Sequence, residues 1–285
     1  MKKIVTEVLS CLECGADYAL QQGALACARC GATIPLHDGI PLFTSPPPGL
    51  QPSEKLVRGP QVGTPWRRAN WRFLNQVTAA LPADAIILDV GAGRGDFAEL
   101  FENHHYLALD IYPYPEVDLA CDLAQVNPFK PGSFDAILLM NVLEHVYEPV
   151  VLLQQLAQLL KPGGLLVVAV PFMVKMHQLP VDFNRYTQFS LQRMADDLGM
   201  AVEHLDGFYD PVSLLGEGLG NLRFNVLPRL AGWRRYAGRL VLAGLQALTS
   251  LLRRVLGPGK ILAASTAKNP APTGYHIIYR KRTAE

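Results

Sequence analysis

The stretch Ile86 to Phe97, I-I-L-D-V-G-A-G-R-G-D-F, constrains this chain more than any other. Apolar Ile86, Ile87 and Leu88 run through Asp89 and Val90 into Gly91, Gly93 and Gly95, and an acidic residue and an apolar helix start follow. A short apolar run broken abruptly by glycines is how a buried parallel strand reads when it must turn at once into a helix. Glycines at such a turn permit positive φ and let the backbone approach a ligand at the carboxyl end of the strand. The G-x-G-x-G spacing sets the third glycine one residue earlier than the dinucleotide fingerprint does, which points to a different nucleoside cofactor.

The chain beyond this turn alternates strands with helical patterns, which predicts an α/β fold with a doubly wound parallel sheet. Tyr106 to Asp110 is a second strand ending in a carboxylate, about twenty residues past the glycine turn, where a ribose diol is gripped. Val117 to Asp122 is a short third strand, with Cys121 read as a small core residue. Phe134 to Met140 is the fourth and runs on into Asn141-Val142-Leu143-Glu144-His145. A helix to Leu160 is stopped by Lys161-Pro162-Gly163-Gly164, and Leu165 to Val170 is a fifth strand. Trp66 to Leu81 and Asp96 to Phe101 read as helices, Ser190 to Leu198 as a capped helix, and Ala201 to Phe208 and Gly274 to Arg280 as the remaining strands.

With Asp89 ahead of it, the glycine turn resembles motif I of the class I S-adenosylmethionine-dependent methyltransferases. F-D-A-I-L-L-M-N-V-L-E-H-V followed by L-L-K-P-G-G-L-L-V-V-A-V-P resembles the same family, in its type 11-like form, across the second half of the domain. The resemblance implies a seven-stranded Rossmann-like sheet whose last strand is antiparallel. It implies S-adenosylmethionine held by Asp89, Gly91, Gly93, Gly95, Asp110 and Ile111, with Asp122 and Leu123 at the adenine and Asn141 beside the cofactor. Asn141-x-x-Glu144-His145 is similar to a metal-binding E-x-x-E-H arrangement in some of these enzymes, but Asn141 replaces the first Glu, so a backbone-positioning role is expected.

Residues 1–43 are expected to be a zinc ribbon. Cys11-x2-Cys14 and Cys27-x2-Cys30 are thiolate pairs, each followed by a glycine that lets two sulfurs face one ion. Tetrahedral zinc supplies the stability that so small a ribbon cannot get from apolar burial. With Ile34-Pro35-Leu36-His37-Asp38-Gly39-Ile40-Pro41 the unit resembles the zinc ribbon of the tRNA-methyltransferase activator family. His37 is read as a surface residue, since four cysteines already close the site. Residues 44–65, rich in Pro and Gly, form a linker ahead of a catalytic domain at 66–285.

The segment His177 to Thr187 follows the fifth strand on the carboxyl side of the sheet, where ligands collect. It offers His177, Asp182, Arg185 and Tyr186 for substrate binding, although Asp182 and Arg185 could equally form a local ion pair with Tyr186 in the core. Methyl transfer mainly needs the acceptor oriented against an activated carbon. An oxygen or nitrogen acceptor also needs a base, for which His145, His177 and Asp182 are the candidates. Similar H-x-x-P-x-D-F-x-R-Y-T segments occur in methyltransferases of bacterial glycan and natural-product clusters, so a small-molecule or glycan acceptor is expected.

The net charge of +1 gives no global attraction to nucleic acid. After Glu217, however, no acidic residue occurs before Glu285, while arginines and lysines recur, Lys260 and Lys268 among them. Residues 221–262 form a helical insertion with Arg235, Arg239, Gln246, Thr249, Ser250 and Arg253 on one face. The uncharged run Leu240 to Leu252 is too short to span a bilayer. The segment 235–256 is a lid, a dimer contact, or a peripheral membrane contact at the inner face of a cytoplasmic protein. An RNA methyltransferase using ribbon and basic helix, and a non-catalytic scaffold, remain alternative readings.

Overall fold

The computed structural model describes residues 2–21, 23–46, 59–60, 62–208, 211–256 and 272–283. Most of the Pro/Gly-rich linker, Lys260, Lys268 and the end of the helical insertion therefore lie outside the described residues. The chain forms two compact units: Met1–Val170 with Gln178–Leu205 and His276–Glu285, and Pro171–His177 with Asp206–Tyr275.

The first unit opens on α1 (Lys3–Val8), which the sequence did not announce because six residues are too few for a readable period. It buries Val5 and Val8, and Lys2 Nζ donates to Tyr106 O at 2.7 Å. The ribbon follows as an antiparallel sheet in the order β1 (Tyr18–Gln21), β2 (Ala24–Cys27), β3 (Thr33–His37) and β4 (Ile40–Pro41). Its two cysteine knuckles have the same geometry: Gly15 N donates to Cys11 O at 2.8 Å, and Gly31 N to Cys27 O at 3.0 Å.

The second layer is α2 (Pro65–Ala80), begun by Thr64, whose hydroxyl accepts from Arg67 N, and by Pro65 at the first turn. Ala69, Phe73 and Val77 with Asn70 and Leu74 make its buried face, as the period of the sequence requires. It joins the core around β5 (Ile86–Val90), β6 (His105–Asp110), β7 (Leu119–Ala120) and β8 (Phe134–Met140). These strands lie in parallel in the order β8-β5-β6-β7, with Leu88 opposite both Leu107 and Ile137. Burial on both faces explains their near-continuous apolar sequences.

The sheet continues through β9 (Leu160–Pro171), which follows α3 (Pro149–Leu159), to β11 (Gly274–Lys281) and then β10 (Met200–Phe208) at the far edge. Lys281 Nζ reaches Leu160 O, and Phe172 N donates to Thr273 O, so β11 runs antiparallel to β9. That gives seven strands. On the opposite side β7 receives the chain leaving the ribbon: Leu42 bridges Ala120 in parallel, and Phe43 N donates to Ala120 O at 2.9 Å. An open sheet edge is covered by this pairing.

Three local expectations need correction. Asp96 to Phe101 is not an α-helix: the glycine turn consumes its start, and only a 3-10 turn at Ala98–Phe101 forms. Lys161 to Gly164 does not separate helix from strand, because β9 already pairs at Leu160 opposite Phe134 and resumes at Leu165 opposite Ala136. The glycines sit in that bulge, where a Cβ on Gly164 would lie 2.9 Å from Lys161 O. The helix read from Ser190 is α4 (Gln188–Asp197), capped by Thr187, whose hydroxyl accepts from Ser190 N at 3.2 Å.

In the second unit α5 (Pro211–Asn221) passes through a π turn and a 3-10 turn into α6 (Gly232–Leu256). Leu219, Leu227 and Leu242 form its core. A Cβ on Gly238 would meet Leu227 at 2.4 Å, so glycine lets α6 approach that closely. Among the described residues no helix is long and apolar enough to cross a membrane.

Candidate active site

The residues expected around a cofactor collect at the carboxyl ends of adjacent strands, β8, β5, β6 and β7. Gly91, Gly93 and Gly95 all have positive φ, 72°, 55° and 74°. Gly91 N and Ala92 N both donate to Leu109 O, at 2.8 and 2.9 Å, which fastens the turn to β6. Gly91 must be glycine for a second reason: a Cβ there would sit 2.4 Å from Val142 Cγ2. Gly93 faces open space, with nothing within 4 Å of where a Cβ would be, so its backbone lies bare toward a ligand.

Asp110 closes the turn. Its Oδ2 accepts from Gly93 N at 2.8 Å and its Oδ1 from Tyr112 N at 3.0 Å. Burial pushes its carboxyl up, and the N–H groups of Tyr112, Gly93 and Ile111 pull it back. Half-buried Ile111 follows it at the rim. Asp89 lies deeper, 2 % exposed, and accepts from Tyr106 OH at 2.6 Å. Burial, reinforced by the charges of Asp110 and Asp96, raises its carboxyl to about 7 against the opposing hydrogen bond of Tyr106. Asp89 is thus a buried acid beneath the turn, hydrogen-bonded to Tyr106 of the neighbouring strand.

Asp122 and Leu123 follow β7. Leu123 is buried, while Asp122 Oδ1 accepts from Ala124 N at 3.0 Å and Oδ2 from Gln125 Nε2 at 2.6 Å, so the carboxylate caps its own turn. Asp122 N donates to Thr44 Oγ1 at 2.8 Å, joining the ribbon's exit strand to this edge of the site. Asn141 sits after β8 with φ 59°, and its amide oxygen accepts from Trp66 Nε1 at 2.7 Å.

Trp66 belongs to a group that sequence reasoning missed. Its ring stacks on His276 at 4.9 Å, and His276 stacks on Phe73 at 4.4 Å while its Nε2 lies 2.8 Å from Asn70 Oδ1. Burial drives His276 down to about 3, so it is a neutral core imidazole. Arg67 was also missed; it packs over Trp71 and Phe97 and donates to Asp96 O at 2.8 Å, tying α2 to the glycine turn. Arg94, within the turn, pairs with Glu116 at 2.7 Å. Apart from Arg67 over Trp71, one helical turn away, no local pattern marks these contacts, since their partners are distant in sequence.

The segment His177 to Thr187 takes the local ion-pair form that the sequence also allowed. Arg185 holds both oxygens of Asp182, at 2.5 and 2.8 Å, and the Asp182 side chain has no exposure. Tyr186 is buried and donates to Leu143 O at 3.0 Å. Asp182 and Arg185 therefore form an ion pair and Tyr186 packs in the core, so the Asp182 carboxylate is engaged by its own cation. His145 Nδ1 lies 2.6 Å from Val181 O. Its Nε2 lies 3.7 Å from Oε1 of the buried Glu144. His177 is half-buried and belongs to the second unit.

Away from this site, the sulfurs of Cys11, Cys14, Cys27 and Cys30 all lie within 4.8 Å of one another. Four thiols so gathered match the donor set and spacing of a tetrahedral metal ion. His37 is exposed, as read from the sequence.

A methyltransferase-domain family model matches residues 66–205. A ubiquinone biosynthesis O-methyltransferase of Xanthomonas axonopodis pv. citri is 30% identical over 173 residues, which cover 55% of this chain and 69% of that protein. The chain belongs to the S-adenosylmethionine-dependent methyltransferases. An uncharacterised methyltransferase of a Mycobacterium species (strain KMS) is 34% identical over 110 residues, covering 35% of this chain and 42% of the relative. The same-named enzyme of Xanthomonas campestris pv. campestris (strain B100) is 31% identical over 142 residues, covering 50% and 54%. The chain thus spans about half the length, or less, of these two relatives. Among solved structures, a SAM-dependent methyltransferase from Archaeoglobus fulgidus is 18% identical, with a TM-score of 0.47 over 75% of this chain and 94% of that one. The methyltransferase turn at Gly91–Gly95 and its partner Asp110 both fall inside the matched residues.

Proposed function

We infer that this methyltransferase transfers a methyl group from S-adenosylmethionine to an oxygen or nitrogen of a small-molecule acceptor, and that its ribbon holds one structural zinc ion. The observation that carries the reading is the turn Gly91–Gly95 hydrogen-bonded to Asp110 at the carboxyl ends of two neighbouring strands. Bare backbone at Gly93 beside a carboxylate suits a nucleoside with a ribose diol. When bound, that cofactor supplies an already activated methyl carbon.

What the chain itself contributes is orientation. Asp110 and the turn fix the nucleoside, and Leu123 offers an apolar wall for its base. Of the candidate bases, our reading assigns the proton from an acceptor hydroxyl or amine to His145, whose ring is oriented by the contact of Nδ1 with Val181 O. Relatives named for ubiquinone O-methylation support a small-molecule acceptor. The cysteine cluster, distant in sequence from every residue of the site, serves stability.

The test is direct. Purified protein is incubated with methyl-labelled S-adenosylmethionine and size-fractionated host extract. Label entering a fraction of small solutes is the expected result; label entering RNA alone, or no cofactor binding at all, overturns the reading.

A further inference from the structure

The second unit carries a surface that methyl transfer does not explain. On α6 the buried side is formed by Gly238, Leu242, Gln246 and Thr249, which turn toward the core of that unit. The polar face read from the sequence is therefore partly an inward face. Directly opposite, at helical spacing, stand Trp233, Leu240, Leu248, Leu251 and Val255, exposed by 75, 76, 51, 54 and 72 %. Ala237, Gly244 and Ala247 fill the positions between them, so no charge interrupts the stripe. From Trp233 to Val255 it runs for about 33 Å at 1.5 Å per residue. Continuous apolar surface on that scale marks an interaction site.

The charge around the stripe selects the occupant. Every charged residue from 218 to 256 is an arginine: Arg223, Arg229, Arg234, Arg235, Arg239, Arg253 and Arg254. Arg234 and Arg254 flank the stripe near its two ends, where long side chains reach headgroup level beside a buried apolar face. Arg223, Arg235 and Arg239 border a cavity of about 370 Å³ on the other side of α6 and add to the positive field without joining the contact. A second copy docked on this face would bring two such arginine sets together with no acidic residue between them. A surface of anionic phosphates offsets the same charge. Since no described helix can cross a bilayer, α6 would lie in its plane.

We propose that the helical unit docks on an anionic phospholipid bilayer, with the Trp233–Val255 stripe of α6 buried at the acyl boundary and Arg234 and Arg254 at the phosphates. This goes beyond the methyl-transfer reading and does not depend on it. It predicts binding that weakens with salt and that needs both the apolar stripe and the flanking charge.

The test uses the full chain in sedimentation with phosphatidylcholine vesicles, with and without about a third phosphatidylglycerol. The wild type is expected to sediment with the anionic vesicles and to be released from them by salt. Leu240→Asp combined with Leu248→Asp is expected to weaken partitioning at least about tenfold, with S-adenosylhomocysteine affinity unchanged. Arg234→Glu with Arg254→Glu, at exposed positions that leave the apolar stripe intact, is expected to abolish the preference for anionic over neutral vesicles. Failure of the wild type to bind either vesicle overturns the proposal. So does a wild-type dimer in light scattering that the Leu240/Leu248 variant converts to monomer, since the occupant is then a second copy. Vesicle binding indifferent to both variants, or binding of RNA in its place, overturns it equally. Cofactor affinity, measured separately, reports on the methyl-transfer reading alone.

Discussion

Replacing Asp89 by Asn tests the energetics of the acid beneath the glycine turn. The carboxyl rises from 3.8 in the unfolded chain to about 7 in the folded one, chiefly because it is buried. The folded state therefore holds this proton more tightly, and folding takes up a proton between those two values. Its contribution to stability is present in acid and is lost as pH rises toward 7, at about 1.4 kcal/mol per pH unit, or about 4 kcal/mol in all. Asparagine keeps an oxygen for the Tyr106 hydroxyl and does not ionise. The stability difference between Asp89→Asn and wild type should then swing in favour of the variant by about 3 kcal/mol between pH 4.5 and pH 8, since that window leaves out the part below pH 4.5. Urea unfolding of both proteins across that range, followed by fluorescence of the buried Trp71, reads the difference, and ionisations common to both cancel. Parallel stability profiles for the two proteins would refute the reasoning.

Other substitutions probe the turn, its partners and the ribbon. Asp110→Ala removes the acceptor of Gly93 N and should weaken S-adenosylhomocysteine binding by at least about tenfold in calorimetry, with circular dichroism and zinc content unchanged. Gly91→Ala combines a left-handed φ with a 2.4 Å clash against Val142 and should destabilise by about 2–4 kcal/mol. Adding Val142→Ala should recover part of that loss, so equal unfolding midpoints for the single and double variants would contradict the contact. Trp66→Phe keeps the stack on His276 but deletes the donor to Asn141, for an expected loss of about 1 kcal/mol in urea unfolding. Metal analysis should find about one zinc per chain, lost together with several degrees of Tm when Cys14 and Cys27 become Ser.

The parallel strands and the glycine turn were legible because each signal is local. A short apolar run that passes one acid and ends in alternating glycines can hardly be satisfied except as a buried strand turning beneath a ligand. The paired cysteines were legible for a like reason, since a CxxC followed by glycine already sets two sulfurs to one side. The short α1 and the bulge at Lys161–Gly164 were not, because a six-residue helix has no period and a bulge is settled by the neighbouring strand. The segment from His177 to Thr187 left two readings open, as a row of polar residues reads the same whether it faces a ligand or its own ion pair.

What the sequence determined by itself was the alternation of elements, the place of the cofactor turn and the gathering of four thiols, all fixed by spacings of a few residues. The tertiary structure alone decided that Asp182 belongs to Arg185, that His276 stacks between Trp66 and Phe73, and that α6 turns its apolar stripe outward. Those outcomes depend on which surfaces meet across tens to hundreds of residues. Burial and charge pairing are set by that meeting, and no local pattern encodes it.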